Sequence, residues 1–472
     1  MSGSLLFASR ADRLFADDAL TRRLALAIDQ IHHGAVVPTF DPVIFHNQLA
    51  EFTFDTPRPL LDVLDWTIVQ MGHGLVHVNH PRYFGLFNPT PTFPSECADR
   101  IAAAFNPQLA TATTSPAAVA IETHVIAGFI ARAGLPVEAR GHFTTGGSEA
   151  NYTAALLALT KRNPGFAEHG ARAFSGQPVF YVSADSHLAW VKIAHQAGIG
   201  RAAVRLIKTD GQGRMDTEAL SDQLRGDEDN GLVPFMIVAT AGTTNAGMID
   251  PLMRCATIAQ SWNLWFHVDA AWGGGLLACE DGQDRLAGIE LADSITIDAH
   301  KWFATTMGCG MFLTRWGDWL PACFDVATSY MPSHTISVDP YVNSMQWSRR
   351  FLGLRLFLSL TIAGWKGFAD HVNHSLGLIV ELRQELMSRG WMIVNNSPLG
   401  VACMVPPQGS ADPAAIVKQV LGTGRAWVST AVFEGQQVIR ACVTSGLTTR
   451  RDITVLVNSL VEAAKTQEQT RA

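Results

Sequence analysis

Short apolar runs alternate with helical patterns over the middle of the chain, and this rhythm predicts its fold. Between residues 141 and 315 the predicted strands are 178–183, 203–208, 234–240, 264–269, 294–298 and 310–314. Stretches with apolar positions at helical spacing lie between them, for example at residues 250–262. This alternation predicts an α/β layer with a mostly parallel central sheet. In such sheets, ligand sites form at the carboxyl ends of the strands.

The two flanks of this region have different patterns. Residues 12–31 and 60–76 have apolar positions at helical spacing, which predicts helices that pack on a larger domain or on another subunit. Beyond residue 365 the pattern predicts a smaller α+β domain. Its predicted helices are 367–389, 413–421 and 451–464, and its predicted strands are 391–394, 401–405, 427–432 and 438–443.

Composition and charge exclude several classes of function. Hydrophobic residues make up 47% of the chain and charged residues 16%, so a large core is expected. The formal net charge is −7 and no basic tract is present, which argues against nucleic acid or an anionic membrane as a partner. The longest apolar run, at 352–365, is interrupted by Arg355 and is too short to span a bilayer. Seven cysteines without a CxxC, and no secretory signal, predict a cytoplasmic protein.

Three histidines raise the question of a metal site. His73, His77 and His80 have the spacing of one face of a helix, and this spacing occurs among metal ligands. No carboxylate or cysteine completes a ligand set, so we predict no metal, and the histidines are interpreted as exposed or core residues.

A phosphate site is predicted where the first strand of the α/β region gives way to a helix. Gly146, Gly147 and Ser148 follow a short strand that includes Phe143. Glycine lets the backbone approach an anion, and the start of a helix presents free N–H groups and a positive dipole end. The same residues also occur as a simple helix cap, so this motif alone does not establish a phosphate site.

Further polar residues follow four other predicted strands. His187 comes after strand 178–183, where an imidazole can stack on a planar ring or serve as an ordinary loop residue. Thr243 and Thr244 follow strand 234–240 and are compatible with simple turn chemistry. Asp269 ends a buried strand, so its carboxylate needs a cationic partner, and a pyridinium N–H or a metal would supply one.

A lysine follows the remaining strand. Lys301 stands in Asp298-Ala-His-Lys-Trp, directly after strand 294–298. A lysine amine that is partly desolvated there is nucleophilic toward an aldehyde, whereas a surface lysine is the simpler interpretation. Gly-Gly-Ser, His, Thr-Thr, Asp and His-Lys each come with a predicted strand of their own. This combination favours the interpretation of Lys301 as a nucleophile over that of a surface lysine.

In this combination the chain resembles the group II pyridoxal-phosphate-dependent amino-acid decarboxylases, which include aromatic amino acid, glutamate and 2,4-diaminobutyrate decarboxylases. The resemblance extends from His80-Pro-Arg-Tyr-Phe into the C-terminal part. Its most specific segment is His267-Val-Asp-Ala-Ala-Trp, followed 32 residues after Asp269 by Lys301. The resemblance implies pyridoxal 5′-phosphate (PLP) as cofactor and an aspartate-aminotransferase-type fold. It also implies a homodimer whose N-terminal helices interlock and whose active site lies at the subunit interface.

The resemblance also implies roles for individual residues. Lys301 would bond covalently to the cofactor, Asp269 would pair with its pyridine nitrogen, and His187 would stack on its ring. Gly147, Ser148 and His300 would hold the phosphate, with Thr244 and Ala271 beside the ring. Tyr330 would reach the partner subunit's site on a loop and return a proton to the substrate Cα, with Tyr341 as the fallback.

The resemblance further implies three parts: an N-terminal helical dimerisation segment (1–88), a large PLP-binding domain (89–360) and a small C-terminal domain (361–472). The chain departs from the family where Asp298 replaces a frequent Asn and where Leu109-Ala-Thr-Ala replaces bulkier residues. Polar residues expected to select the substrate are Arg82, Asn88 and Gln108, and Arg350 matches a family arginine that has a structural or a functional role.

The function predicted from the sequence is PLP-dependent removal of the α-carboxylate of an L-amino acid, giving the amine and CO2. Two alternatives stay open. One is another PLP-dependent lyase on the same fold, either an aldehyde-forming oxidative decarboxylase or a carbon–carbon lyase. The other is a dimeric interaction protein that has lost the cofactor.

Overall fold

A computed structural model describes residues 6–326, 339–407 and 412–471. Its central element is a seven-stranded sheet with the order β1-β7-β6-β5-β4-β2-β3. The strands are β1 (Arg140–Thr144), β2 (Pro178–Ser183), β3 (Val204–Ile207), β4 (Val233–Thr240), β5 (Trp265–Asp269), β6 (Ser294–Asp298) and β7 (Gly310–Thr314). β7 pairs antiparallel with both of its neighbours, and β2 to β6 pair in parallel. The prediction of a mostly parallel sheet is therefore confirmed.

Helices cover both faces of this sheet, which explains the continuous apolar runs in its strands. In β4, Ile237 and Ala239 belong to one hydrophobic core, while Met236 and Val238 belong to the core on the other face. The helices are α1 (Arg10–His33), α2 (Pro42–Ala50), α3 (Leu60–His73), α4 (Phe93–Phe105), α5 (Pro116–Arg132), α6 (Gly147–Arg162), α7 (Phe166–His169), α8 (Ala189–Gln196), α9 (Thr217–Asp229), α10 (Leu252–Ser261), α11 (Gly282–Arg285), α12 (Leu320–Phe324), α13 (Gly353–Met387), α14 (Pro413–Gly422) and α15 (Arg450–Arg471).

The C-terminal part forms a second, smaller sheet, as predicted. Its order is β10-β11-β9-β8, with all pairs antiparallel. The strands are β8 (Met392–Ile393), β9 (Val401–Val405), β10 (Ser429–Phe433) and β11 (Gln436–Cys442). A separate core joins this sheet to α13, α14 and α15. The long helix starts earlier than predicted, at Gly353, and is interrupted at Gly364, whose φ of +62° suits glycine.

The N-terminal helices differ from the prediction in two ways. α2 was not predicted. α3 ends at His73, before the predicted end at residue 76, and Gly74 is its C-cap. His73, His77 and His80 therefore do not share one helical face, and His77 and His80 are buried beyond the helix end. No group of three or more His, Cys, Asp or Glu side chains in the described ranges is arranged to hold a metal ion. Within the same ranges, none of the helices has the length and apolar character needed to cross a membrane.

Candidate active site

The polar residues singled out from the sequence meet at one cavity of about 330 Å³, at the carboxyl ends of the parallel strands. This convergence follows from the topology, because β2, β4, β5 and β6 lie side by side and end at the same edge. The walls include every residue predicted to contact a cofactor, namely Gly147, Ser148, His187, Thr244, Asp269, Ala271, His300 and Lys301.

One wall is the start of α6. The helix begins at Gly147, and no side chain among the described residues caps it. A Cβ atom at Gly147 would lie 2.9 Å from Asp298 Oδ2 and 3.4 Å from the Cβ of Ala271, so glycine permits this close approach. The preceding turn is fixed by Glu149, whose carboxylate accepts hydrogen bonds from the backbone N–H and hydroxyl of Thr145. Uncapped N–H groups at a glycine-lined helix start are suited to an anion such as a phosphate.

A chain of hydrogen bonds orients Asp269. Its Oδ2 accepts from Asn151 Nδ2 at 2.8 Å, and its Oδ1 accepts from the backbone N–H of Ala271 at 3.1 Å. The amide oxygen of Asn151 lies 3.1 Å from His267 Nε2, and His267 Nδ1 lies 2.8 Å from Ser294 Oγ. Burial lowers the pKa of His267 to about 4, so this imidazole is neutral at physiological pH. The carboxylate is thus held in one orientation beside the cavity.

Lys301 reaches the cavity from the turn after β6. Its Nζ lies 3.0 Å from Asp298 Oδ2, and its side chain is 20% exposed. The neighbouring His300 is held through Nδ1, which lies 2.9 Å from the carbonyl oxygen of Cys309. The amine is therefore accessible from the cavity and has one carboxylate partner.

His187 lies on the exposed part of the cavity wall. Its Nδ1 accepts a hydrogen bond from the backbone N–H of Ala189 at 3.1 Å, which fixes the ring at the start of α8. This bond assigns the proton of the neutral ring to Nε2. The ring is thus placed where a planar ligand in the cavity would meet it.

Other residues predicted from the sequence lie elsewhere. Tyr330 falls outside the described residues. Tyr341 is buried against Trp347, with ring centroids 4.9 Å apart, and does not line the cavity. The proposed selectors Arg82, Asn88 and Gln108 also do not line it; Arg82 lies 3.9 Å from Asp452. Arg350 is exposed, whereas its neighbour Arg349 forms the buried ion pair, at 2.7 Å from Glu122.

Among the residues near the site that were not predicted are Asn151, Phe87 and Arg440. Phe87 lines the cavity and stacks on Trp272 at 4.1 Å. The guanidinium of Arg440 lies 4.8 Å from the centre of the Phe87 ring and donates from Nε to the carbonyl oxygen of Thr244 at 2.9 Å. Arg440 is buried, and its Nη2 has no hydrogen-bond partner among the described residues. The sequence feature that could have identified Arg440 is its position as an arginine within the apolar run of β11.

We expect Asn151→Ala to lower turnover about tenfold, because Asp269 would lose the hydrogen bond that orients it. The cofactor should still bind, since Lys301 and the start of α6 are unchanged. Steady-state kinetics together with a cofactor titration measure both effects. The matched control is Asn230→Ala, which removes an amide at the exposed end of α9. An unchanged turnover in Asn151→Ala would contradict the positioning role.

Together the fold and the site define a class of protein: an α/β enzyme with a lysine, a carboxylate and a glycine-lined helix start at one cavity. The chain matches the pyridoxal-dependent decarboxylase conserved domain over residues 48–404. It therefore belongs to the pyridoxal-dependent decarboxylase family, as the resemblance indicated, and is a PLP-dependent carboxy-lyase.

Similar proteins agree with this assignment and differ in substrate. The chain is 28% identical over 447 residues to an aromatic-L-amino-acid decarboxylase of Bacillus atrophaeus, covering 91% of each chain. It is 32% identical over 381 residues to an L-2,4-diaminobutyrate decarboxylase of Rhizobium meliloti (strain 1021), covering 76% of this chain and 73% of the relative. The crystal structure of Oryza sativa TDC with PLP and tryptamine has the same fold, with a TM-score of 0.91 and 22% identity over 98% of this chain and 99% of that one.

Proposed function

We propose that the protein removes the α-carboxylate of an L-amino acid with the help of PLP and releases the amine and CO2. The observation that carries this proposal is the convergence of a lysine, a buried carboxylate, an imidazole and a glycine-lined helix start on one cavity. These groups fit PLP, which carries an aldehyde, a ring nitrogen, a flat ring and a phosphate. The presence of all four groups argues against a protein that has lost the cofactor.

The proposed positions follow the chemistry of each group. Gly147, Ser148 and His300 would hold the phosphate, with Thr244 and Ala271 beside the ring. Lys301 would carry the cofactor as a covalent adduct, and Asp269 would face the pyridine nitrogen. His187 would cover the ring from the exposed side of the cavity.

When bound, PLP withdraws electrons from the Cα of an amino acid attached to it. Asp269 supports this effect because a carboxylate held by Asn151 and the Ala271 amide keeps a proton on the ring nitrogen. Lys301 would hold the cofactor through its Nζ when no substrate is bound, and would yield that place to the amine of the substrate. Tyr330, from its position in the sequence, or a water molecule returns a proton to Cα.

Arg440 is proposed to bind the substrate carboxylate. Two of its nitrogens donate to the backbone carbonyls of Thr244 and Gly85, which fixes the guanidinium beside Phe87. The remaining buried Nη2 needs an acceptor, because an unpaired buried donor costs free energy. A carboxylate brought in with the substrate would satisfy it.

A panel of L-amino acids scored for CO2 release tests the proposed function. Aromatic, acidic and diamino acids come first, because the similar proteins named above act on different side chains. We expect at least one to give CO2 and its amine in equal amounts. Aldehyde, ammonia and peroxide would instead identify the oxidative reaction. If no amino acid releases CO2 while the spectrum of bound PLP still responds to amino acids, another PLP-dependent lyase reaction replaces decarboxylation.

We further propose a homodimer that shares its active sites. The observation behind this proposal is that α1, α2 and α3 contain no buried residue and expose many large apolar side chains. Apolar patches of this kind mark protein–protein interfaces. Phe15 and Leu26 are 65% and 67% exposed, and a separation of eleven residues puts them on the same face of α1.

We expect the double variant Phe15→Asp, Leu26→Asp to shift the protein from dimer to monomer, because two carboxylates would be desolvated in the interface. Sedimentation velocity measures the shift, and CO2 release should fall with the dimer fraction. Arg22→Ala, an exposed change on the same helix, is the control and should stay dimeric. A dimer of unchanged stability in the double variant would exclude this face of α1 from the interface.

The division of the chain also stays a proposal: residues 1–88 for dimerisation, 89–360 for the cofactor and 361–472 for the small domain. The break of α13 at Gly364 lies close to the second boundary and supports it. All seven cysteines are free thiols, which fits the proposed cytoplasmic location.

A further inference from the structure

Asp298 places a negative charge among the groups proposed to hold the cofactor. Its Oδ2 lies 3.0 Å from Lys301 Nζ and 3.9 Å from His300 Nε2. The same oxygen lies 2.9 Å from the position of a Cβ atom at Gly147, the first residue of α6. Asp298 is buried, and its Oδ1 has no hydrogen-bond partner in the described part of the chain.

The backbone on both sides confines this carboxylate. A Cβ atom at Gly310 would lie 2.8 Å from Oδ1, so the side chain is in close contact with the glycine backbone of β7 as well as with that of α6. The ammonium of Lys301 and the positive end of α6 stabilise the charge in this position. The carboxylate therefore occupies the edge of the place where a phosphate would use the N–H groups of α6.

We propose that Asp298 lowers the affinity of the enzyme for the phosphate group of its cofactor, an inference that rests on the proposed phosphate position. A phosphate at the start of α6 would be close to the carboxylate, and two negative charges in a partly buried site repel each other. A neutral residue at this position would remove the repulsion and keep the shape. Asp298 thus tunes how readily the cofactor is exchanged and does not take part in the chemical steps.

Pyridoxal, which lacks the phosphate, separates this role from an effect on Lys301. If Asp298 acts through the charge or position of the Lys301 amine, its replacement must alter the binding of PLP and pyridoxal alike, because both carry the same aldehyde. If it acts on the phosphate, only the binding of PLP changes.

The experiment uses the dimeric full-length apoprotein, obtained by removing the cofactor, and titrates it with PLP or pyridoxal at neutral pH while absorbance is recorded. We expect Asp298→Asn to lower the Kd for PLP about tenfold and to change the Kd for pyridoxal less than about twofold. Asp185→Asn removes the same charge from a half-buried residue that does not line the cavity, and should change neither value. Circular dichroism verifies the fold of each variant.

A second comparison places Asp298→Asn in a Lys301→Ala background, where binding is non-covalent and is followed by fluorescence quenching. The tightening for PLP should persist there, because the phosphate contact does not involve the lysine. Equal shifts for PLP and pyridoxal, or weaker PLP binding in Asp298→Asn, would overturn the inference and leave the proposed function intact. Failure of the wild type to bind PLP would overturn both.

Discussion

Lys301→Ala is expected to reduce CO2 release by about three orders of magnitude or more, because the variant cannot form the covalent adduct with the cofactor. The same change should abolish the visible absorbance of that adduct. After borohydride reduction, mass spectrometry should locate the cofactor on the peptide with Lys301 in the wild type only. Lys301 reaches the cavity wall and has 20% of its side chain exposed, so the amine is available for this reaction.

Lys161→Ala provides the matched control. Lys161 is also half-buried, but it lies over the ring of Trp316 at 3.0 Å, at the opposite edge of the sheet. This variant should keep the absorbance, the labelled peptide and the turnover. Covalent labelling at another lysine in the Lys301→Ala protein would show that the assignment of the lysine is wrong.

The central sheet was predictable because burial on both faces leaves a simple signal. β2, β6 and β7 have the predicted bounds, and each is a short run in which every residue is buried. A strand covered by helices on both sides is mostly apolar, and a charged residue then marks its end. The positions of Asp269 at the end of its strand and of Lys301 just after its strand follow from the same rule.

The N-terminal part was predicted less completely, because one of its helices is short and the end of another was misplaced. α1 and α3 were predicted from apolar residues at helical spacing, whereas the nine-residue α2 was not, and none of the three helices buries a residue within one chain. α3 ends at His73, although apolar residues continue to Val76. For this reason His73, His77 and His80 do not share the one helical face that their spacing suggested.

Long-range contacts limited the prediction of the site. Asn151 is 118 residues from Asp269, and Arg440 is 196 residues from Thr244, so no local spacing links them. The proposed selectors were chosen for their polarity in a proline-rich loop and the segment after it. The fold instead turns Arg82 toward Asp452 of α15 and brings Phe87 into the cavity. Sequence patterns thus identified the groups at strand ends, whereas tertiary structure supplied those that orient them.

Asp269→Asn is expected to lower turnover by about two to four orders of magnitude while leaving the cofactor bound. Asparagine has nearly the same shape but no charge, so it cannot hold a proton on the ring nitrogen of PLP. Asn151 could donate its hydrogen bond to the new amide only if that amide turned its oxygen toward Asn151. The visible absorbance of the adduct with Lys301 should persist, which separates loss of chemistry from loss of cofactor.

Asp293→Asn is the control for this change. Asp293 accepts from the backbone N–H of Phe266 and from the indole N–H of Trp316, at the edge of the sheet away from the cavity. Its replacement removes a carboxylate next to the same strand, and turnover should stay near that of the wild type. Full turnover in Asp269→Asn would mean that the ring nitrogen needs no charged partner, and another group would then have to stabilise the electrons released with CO2.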